Sequence, residues 1–231
     1  AAIVLDDADL DRTLASLPAL AFRNSGQTCF AQTRIIATPG VYDRVVEGVT
    51  AWAHAQKLGS AFDEATTMGP LASQRQRDNA ISFIEKGLAS GARLVTGGVD
   101  AQVPEVGYFV APTVFAEVDP DCELAQEEVF GPVVSIFPAT DEDDAVRLAN
   151  NSRYGLAGSV WSQDIDRAVG VARRIDTGTV GINGFAPDLG SPFGGVKDSG
   201  LGRENGPEGL GVFWRTESIY RFGVPADATS A

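Results

Sequence analysis

One histidine, His54, and two cysteines, Cys29 and Cys122, are the whole supply of those residue types in this 231-residue chain. A zinc site built on several histidines cannot be assembled from it, and any Cys/His or Ser/His couple would have to use His54. Two cysteines make no disulfide framework, which points to a reducing, cytoplasmic setting. Basic residues are also short: 18 Lys and Arg stand against 31 Asp and Glu, a formal net charge of −13. A chain so acidic is repelled by phosphate backbones and anionic lipid, so neither nucleic acid nor membrane is expected as a partner. No apolar run reaches the length that spans a bilayer. The first residues, Ala1-Ala2-Ile3-Val4-Leu5-Asp6-Asp7, lack the basic start of a signal peptide. Internal repeats and low-complexity stretches are missing as well.

Hydrophobic residues make up 44% of the chain, which excludes a disordered or fibrous protein and leaves a globular one with a real core. Apolar strand-like runs occur at Ala2–Leu5, Thr33–Thr38, Ala92–Thr96, Val133–Phe137, Leu156–Trp161 and Thr179–Ile182. Helical spacing fills the intervals: about 8–22, 42–57, 73–90, 141–150 and 165–175. Pro18 is expected to kink or divide the first helix, and Pro112 to place the extended segment 108–118 at a sheet edge. Alternating strands and helices, with several strands apolar on both faces, predict an α/β fold with a mainly parallel sheet flanked by helices. Residues 1–212 read as one catalytic domain. In 213–231, the stretch Trp214 to Val224 alternates like a strand that lacks an obvious partner, either an edge awaiting another subunit or a strand returning to its own sheet.

Three segments carry candidate chemistry. In Asn24-Ser25-Gly26-Gln27-Thr28-Cys29, Gly26 permits a tight turn before the cysteine. A helix starting just after it would favour a thiolate and turn the Cys29 N–H toward an oxyanion. A lone cysteine is more often a small buried hydrophobe, and taken alone this one leans that way. In Gln126-Glu127-Glu128-Val129-Phe130-Gly131-Pro132, a carboxylate could bond ligand hydroxyls beside a ring; a solvated acidic turn with a core Phe is the plainer alternative. The glycine-rich run Ser191 to Glu204 lines a site or packs tightly. Gly200-Leu201-Gly202 is followed by Gly206, one residue too far for a dinucleotide fingerprint.

Taken in order, these segments with Asn150-Asn151-Ser152-Arg153-Tyr154-Gly155-Leu156, Gly178-Thr179-Val180-Gly181-Ile182-Asn183 and Pro192-Phe193-Gly194-Gly195 through Gly202-Arg203-Glu204 resemble the aldehyde dehydrogenase superfamily from Leu5 to about Val224. The resemblance implies an oxidoreductase that converts an aldehyde to a carboxylic acid with NAD or NADP. A cysteine forms a thiohemiacetal, hydride passes to the nicotinamide, and water hydrolyses the resulting thioester. Carried over, Cys29 is the nucleophile and its N–H serves the oxyanion. Glu128 bonds the nicotinamide ribose, Phe130 packs near the nicotinamide, and Gln76 falls near a ribose-contacting position. Glu204 matches an acid on a proton path in some members, while Phe193 and the loop 184–191 with Phe185 match the wall of the substrate channel. The terminal strand matches an oligomerisation strand. The family's general-base glutamate belongs to a Glu-Leu-Gly-Gly motif upstream of the segment that Ala1 to Asp9 matches, and the cofactor-gripping domain is likewise outside this sequence. The resemblance therefore implies a truncated chain needing its N-terminal half or a homo-oligomer, with a small-molecule aldehyde as substrate. Two readings compete with hydrolysis to the acid: thioester release to coenzyme A or phosphate, and a non-catalytic oligomerisation or regulatory partner of a full-length dehydrogenase. A thiol hydrolase would need His54 beside Cys29. Cys122, after Asp119-Pro120-Asp121, reads as structural.

Overall fold

Period-two burial on both sides of the strands dictates a sheet covered on each face. The computed structural model describes residues 1–223. In chain order the elements are β1 (Ala2–Val4), α1 (Leu10–Ala21), a 3₁₀ turn (Arg23–Gly26), β2 (Arg34–Ala37), α2 (Tyr42–His54), α3 (Gln74–Ala89), β3 (Arg93–Thr96), β4 (Thr113–Ala116), α4 (Glu123–Gln126), β5 (Val133–Pro138), α5 (Glu142–Asn150), β6 (Tyr154–Gly155), β7 (Ala157–Trp161), α6 (Ile165–Ala172), β8 (Thr179–Ile182), β9 (Val196–Lys197) and α7 (Gly206–Gly211). Seven strands form one sheet in the order β3-β4-β5-β2-β1-β7-β8. Every pairing in it is parallel except β3 with β4. A small antiparallel pair, β6 with β9, stands apart.

Alternation divides the core in two. Ala2, Val4, Ile35, Ala37, Val114 and Ile136 face α1 and α2, while Ile3, Leu5, Ile36, Phe115 and Phe137 face α3, α5 and α6. Trp161, Phe115 and Phe137 are fully buried or nearly so, each contributing roughly 2–3 kcal/mol of apolar burial. Helix starts follow the acids and serines seen in the sequence. Asp9, Ser73, Asp141 and Asp164 accept N–H bonds from Arg12, Gln76, Asp144 and Arg167.

Two local expectations about proline need correcting. Helix α1 runs through Pro18 undivided: the proline forgoes only its own i→i−4 bond, and the Phe22 N–H still bonds the Pro18 carbonyl at 2.9 Å. Strand β4 lies inside the sheet between β3 and β5; Pro112 precedes its first residue and so removes no ladder N–H. Among the described residues no strand pairing is present in 214–223, and Phe213, Trp214, Ile219, Tyr220 and Phe222 are exposed. Val224 lies outside the described residues.

At the carboxyl ends of β1 and β7, Arg167 joins three acids: Asp6 at 2.8 Å, Asp7 at 3.1 Å and Glu142 at 2.8 Å. Asp7 also accepts from the Ser162 hydroxyl at 2.7 Å and the Asp164 N–H at 3.1 Å. Burial alone would raise the Asp7 carboxyl, but the bonds from Ser162 and Asp164, with the Arg167 charge, outweigh it and hold it below the usual carboxylate range. The stability this adds is full above the carboxyl's unfolded pKa and is lost as pH falls through the lower folded value. Arg167→Ala is expected to cost about 1–2 kcal/mol at neutral pH, since it removes three partly exposed ion pairs. Urea unfolding across pH checks this. The cost should shrink in strong acid, and an equal cost at neutral pH and at about pH 2 would assign it to packing instead of charge.

Candidate active site

The approach to Cys29 is made of left-handed residues: Asn24 at φ 52°, Ser25 at φ 56° and Gly26 at φ 76°. Two consecutive non-glycine residues in this region store strain that the surroundings must hold. The Ser25 hydroxyl, buried, donates to the Gly69 carbonyl at 2.9 Å, and the Gln27 side chain accepts from the Ala72 N–H at 2.9 Å. Asn24 and Gln27 exchange side-chain bonds with each other's carbonyls at 3.2 Å. Beneath, Gln32 accepts from Ser159, whose hydroxyl also takes the Trp161 indole N–H at 2.8 Å. The segment after the cysteine is thereby tied to β7.

Gly26 decides what the loop touches. A Cβ there would stand 1.9 Å from the carbonyl oxygen of Gly131, so the turn packs main chain against main chain on the Glu128–Pro132 segment. That segment is itself constrained. Phe130 adopts φ 53°. The Gln76 amide donates to the Val129 and Phe130 carbonyls at 2.9 and 2.8 Å, and Asn79 to Val129 at 3.1 Å.

Cys29 and Glu128 consequently line one cleft of about 320 Å³, with Arg34, Tyr154 and Thr177. The cleft lies at the amino ends of β1, β2, β5 and β7. The two adjacent acids have separated roles: Glu127 is bonded to Arg153 at 2.7 Å, whereas Glu128 has no ion-pair partner among the described residues. Partial desolvation raises the Glu128 carboxyl. Arg34 donates to the Leu148 and Asn151 carbonyls at 3.0 and 3.2 Å, and burial lowers it to about 10.

Cys29 is exposed. No helix follows it; the chain makes a turn at Cys29 and Phe30 and enters β2, so activation by a helix end does not apply. The Cys29 N–H is engaged in no hydrogen bond among the described residues. An aromatic cluster gathers at the residue after Cys29. Phe30 meets Phe185 at 5.4 Å and Phe193 edge-on at 6.2 Å between centroids. Arg23 lies over the Phe30 ring at 5.6 Å. Phe30 was missed in the sequence, although its position next to the thiol was signal enough.

The remaining candidates fall elsewhere. Glu204 is held beside Phe193 by two main-chain bonds of 2.7 Å, with its side chain exposed and outside the cleft. Gln76 spends its amide on backbone carbonyls and does not line the cleft either. His54 ends α2 and lines separate hollows beside β3, away from Cys29. Cys122 is half-buried at the start of α4 and packs on the core. The glycine-rich run packs closely on neighbouring chain: a Cβ on Gly178 would meet the Gly194 carbonyl at 1.7 Å. Among the described residues no group of three or more His, Cys, Asp or Glu is placed to hold a metal ion, and no helix is long and apolar enough to cross a membrane.

A model of the aldehyde dehydrogenase family matches residues 1–219. The geranial dehydrogenase of Castellaniella defragrans is 52% identical over 223 residues, covering 96% of this chain and 46% of that protein. A betaine aldehyde dehydrogenase of Rhizobium leguminosarum is 41% identical over 221 residues, covering 94% and 45%. Among solved structures, a Mycobacterium tuberculosis aldehyde dehydrogenase complexed with NAD+ superposes with a TM-score of 0.88 at 48% identity, covering 92% of this chain and 44% of that one. The chain thus spans less than half the length of the relatives it matches.

Gly26→Ala is expected to cost at least about 2 kcal/mol, combining the left-handed penalty with an overlap on a main-chain carbonyl that no rotamer relieves. Chemical denaturation reads the stability. Labelling of Cys29 in the folded variant should change in parallel, and an unaltered labelling rate would show that the Gly26–Gly131 contact does not set the thiol's position.

Proposed function

The chain belongs to the aldehyde dehydrogenase family, and on that premise we propose that it carries the nucleophile half of a NAD(P)-dependent aldehyde oxidation. The observation that carries this reading is the shared cleft of Cys29 and Glu128, formed by two strained loops locked together. Strain of this kind is held in place where geometry matters for chemistry.

Cys29 attacks the aldehyde carbon, forming a C–S bond and a thiohemiacetal oxyanion. The free Cys29 N–H donates to that oxyanion. Glu128 fits a ribose: an unpaired carboxylate offers two acceptors to two vicinal hydroxyls, and Phe130 supplies an apolar face beside it. Gln76 acts one step back, fixing the Val129 and Phe130 carbonyls so that Glu128 and Phe130 keep their positions. A bound nicotinamide supplies the hydride acceptor that makes oxidation of the thiohemiacetal possible. Water then releases the acid and returns the Cys29 thiol. The resemblance assigns the base for that water to a Glu-Leu-Gly-Gly segment outside these residues. Phe185, Phe193 and Phe30 wall the aldehyde's path; a proton-path role for Glu204 rests on the resemblance alone, since its side chain is exposed and off the cleft. By themselves these residues bind NAD weakly and turn over no aldehyde, in keeping with their covering 46% of the geranial dehydrogenase.

A second reading rests on a separate observation. Phe213, Trp214, Ile219, Tyr220 and Phe222 are exposed together, more apolar surface than a lone monomer keeps. The segment serves as an oligomerisation strand that pairs with another subunit, and a non-catalytic partner role for a full-length dehydrogenase would use the same surface.

Thiol labelling with mass detection tests the main reading. Cys29 should react at least about tenfold faster than Cys122, and Cys29→Ala should abolish the fast phase. Glu128→Gln should leave that phase unchanged and weaken NAD binding further. Equal rates at the two thiols would remove the nucleophile assignment, and brisk NADH formation by the chain alone would remove the statement that it is inactive.

A further inference from the structure

The aromatic side of Cys29 carries a charge for which the reaction itself has no use. Arg23 stands at the last turn leading into the nucleophile loop, is exposed, and forms no ion pair among the described residues. Its guanidinium carbon lies 5.6 Å from the centroid of Phe30, the residue directly after the thiol. Phe30 in turn holds Phe185 and Phe193. We propose that Arg23, seated on Phe30, makes the aromatic entrance to Cys29 selective by charge, admitting uncharged or anionic apolar aldehydes and turning away cationic ones. The proposal rests on Cys29 being the nucleophile.

An aromatic face attracts a cation through its quadrupole, and a ring cluster of this kind is what a trimethylammonium group would seek. Here the protein's own guanidinium takes the Phe30 face. An incoming cation must either displace Arg23 or sit within a few ångströms of a like charge. Asp188, in the loop that carries Phe185, accepts from the Gly190 N–H at 3.0 Å and the Ser191 hydroxyl at 2.8 Å and stays negatively charged, so it opposes Arg23 in part, and substitution of Arg23 alone isolates the guanidinium's share. An uncharged chain meets three rings and no penalty, and an anionic one gains from Arg23. For two charges about 8 Å apart at a solvent-exposed surface, one charge changes a local encounter by roughly two- to sixfold. The overall charge of −13 acts the other way, so the effect is local and is separable from net charge by choice of variant.

The test reads charge at Cys29 without cofactor or turnover. In a Cys122→Ala background, Cys29 is modified by three small methanethiosulfonates: a cationic trimethylammonium-ethyl, an anionic sulfonato-ethyl and a neutral methyl reagent. Each rate is divided by that for a free thiol. Arg23→Gln is expected to raise the cation-to-anion ratio at least about threefold, to leave the neutral reagent nearly unaffected, and to lose most of its effect in high salt. Arg12→Gln, which changes net charge equally from more than two helical turns away, is expected to leave the ratio alone. An unchanged ratio in Arg23→Gln, or an equal shift in Arg12→Gln, overturns the proposal. Slow reaction of Cys29 with all three reagents counts against the nucleophile, while the ratio still reports on Arg23.

Discussion

Two pieces of main chain meet in the site. Gly26 lies so near the Gly131 carbonyl that a side chain has no room, and this contact joins the loop ending in Cys29 to the loop beginning with Glu128. Everything else in the site is arranged around it. Asn24 and Ser25 take up left-handed conformations to deliver Gly26, and Phe130 does the same on the other side. The bonds from Ser25 to Gly69, from Gln27 to Ala72 and from Gln76 and Asn79 to the Val129 region offset that strain. Hydrogen bonds to main-chain groups suit the task, since they fix position without adding charge near a thiol.

Placement in the sheet gives this contact its consequence. Ligands of open parallel sheets ordinarily gather at the carboxyl ends of the strands. Here the carboxyl ends of β1 and β7 carry the Arg167 ion cluster, and the cleft opens at the amino ends. Cys29 comes just before β2 and Glu128 just before β5, and β2 and β5 are neighbours. Their side-by-side pairing carries residues 99 positions apart in the chain to one cleft. Two kinds of surroundings meet near the thiol: the carboxylate of Glu128 and the buried Arg34 in the cleft, and three phenylalanines with Arg23 gathered at Phe30, the next residue.

Much of the architecture was legible because it is a matter of period and capping. Strands apolar on both faces require cover on both faces, and acids or serines ahead of an apolar-periodic run mark helix starts, as Asp9, Ser73 and Asp141 do. Proline misled twice. Before β4 no ladder N–H was needed at Pro112, and in α1 the one i→i−4 bond forgone at Pro18 falls near the helix end, where the helix continues past it to Ala21. The strand read at Thr33–Thr38 is present as β2, and the helix on which thiolate activation was conditional does not follow Cys29.

The sequence by itself determined the class of fold, the family and the chemical identity of the thiol and carboxylate, since these reside in residue type, spacing and motif order. It did not determine that Glu127 is consumed by Arg153 while Glu128 stays free, that Phe30 gathers Phe185 and Phe193, that Gln76 serves the backbone, or that Glu204 lies off the cleft. Each of those depends on which distant segments the sheet order makes neighbours. That information is long-range: local propensity and periodicity act over a few residues, and only the closed tertiary structure decides which of two adjacent acids meets an arginine and which faces open space.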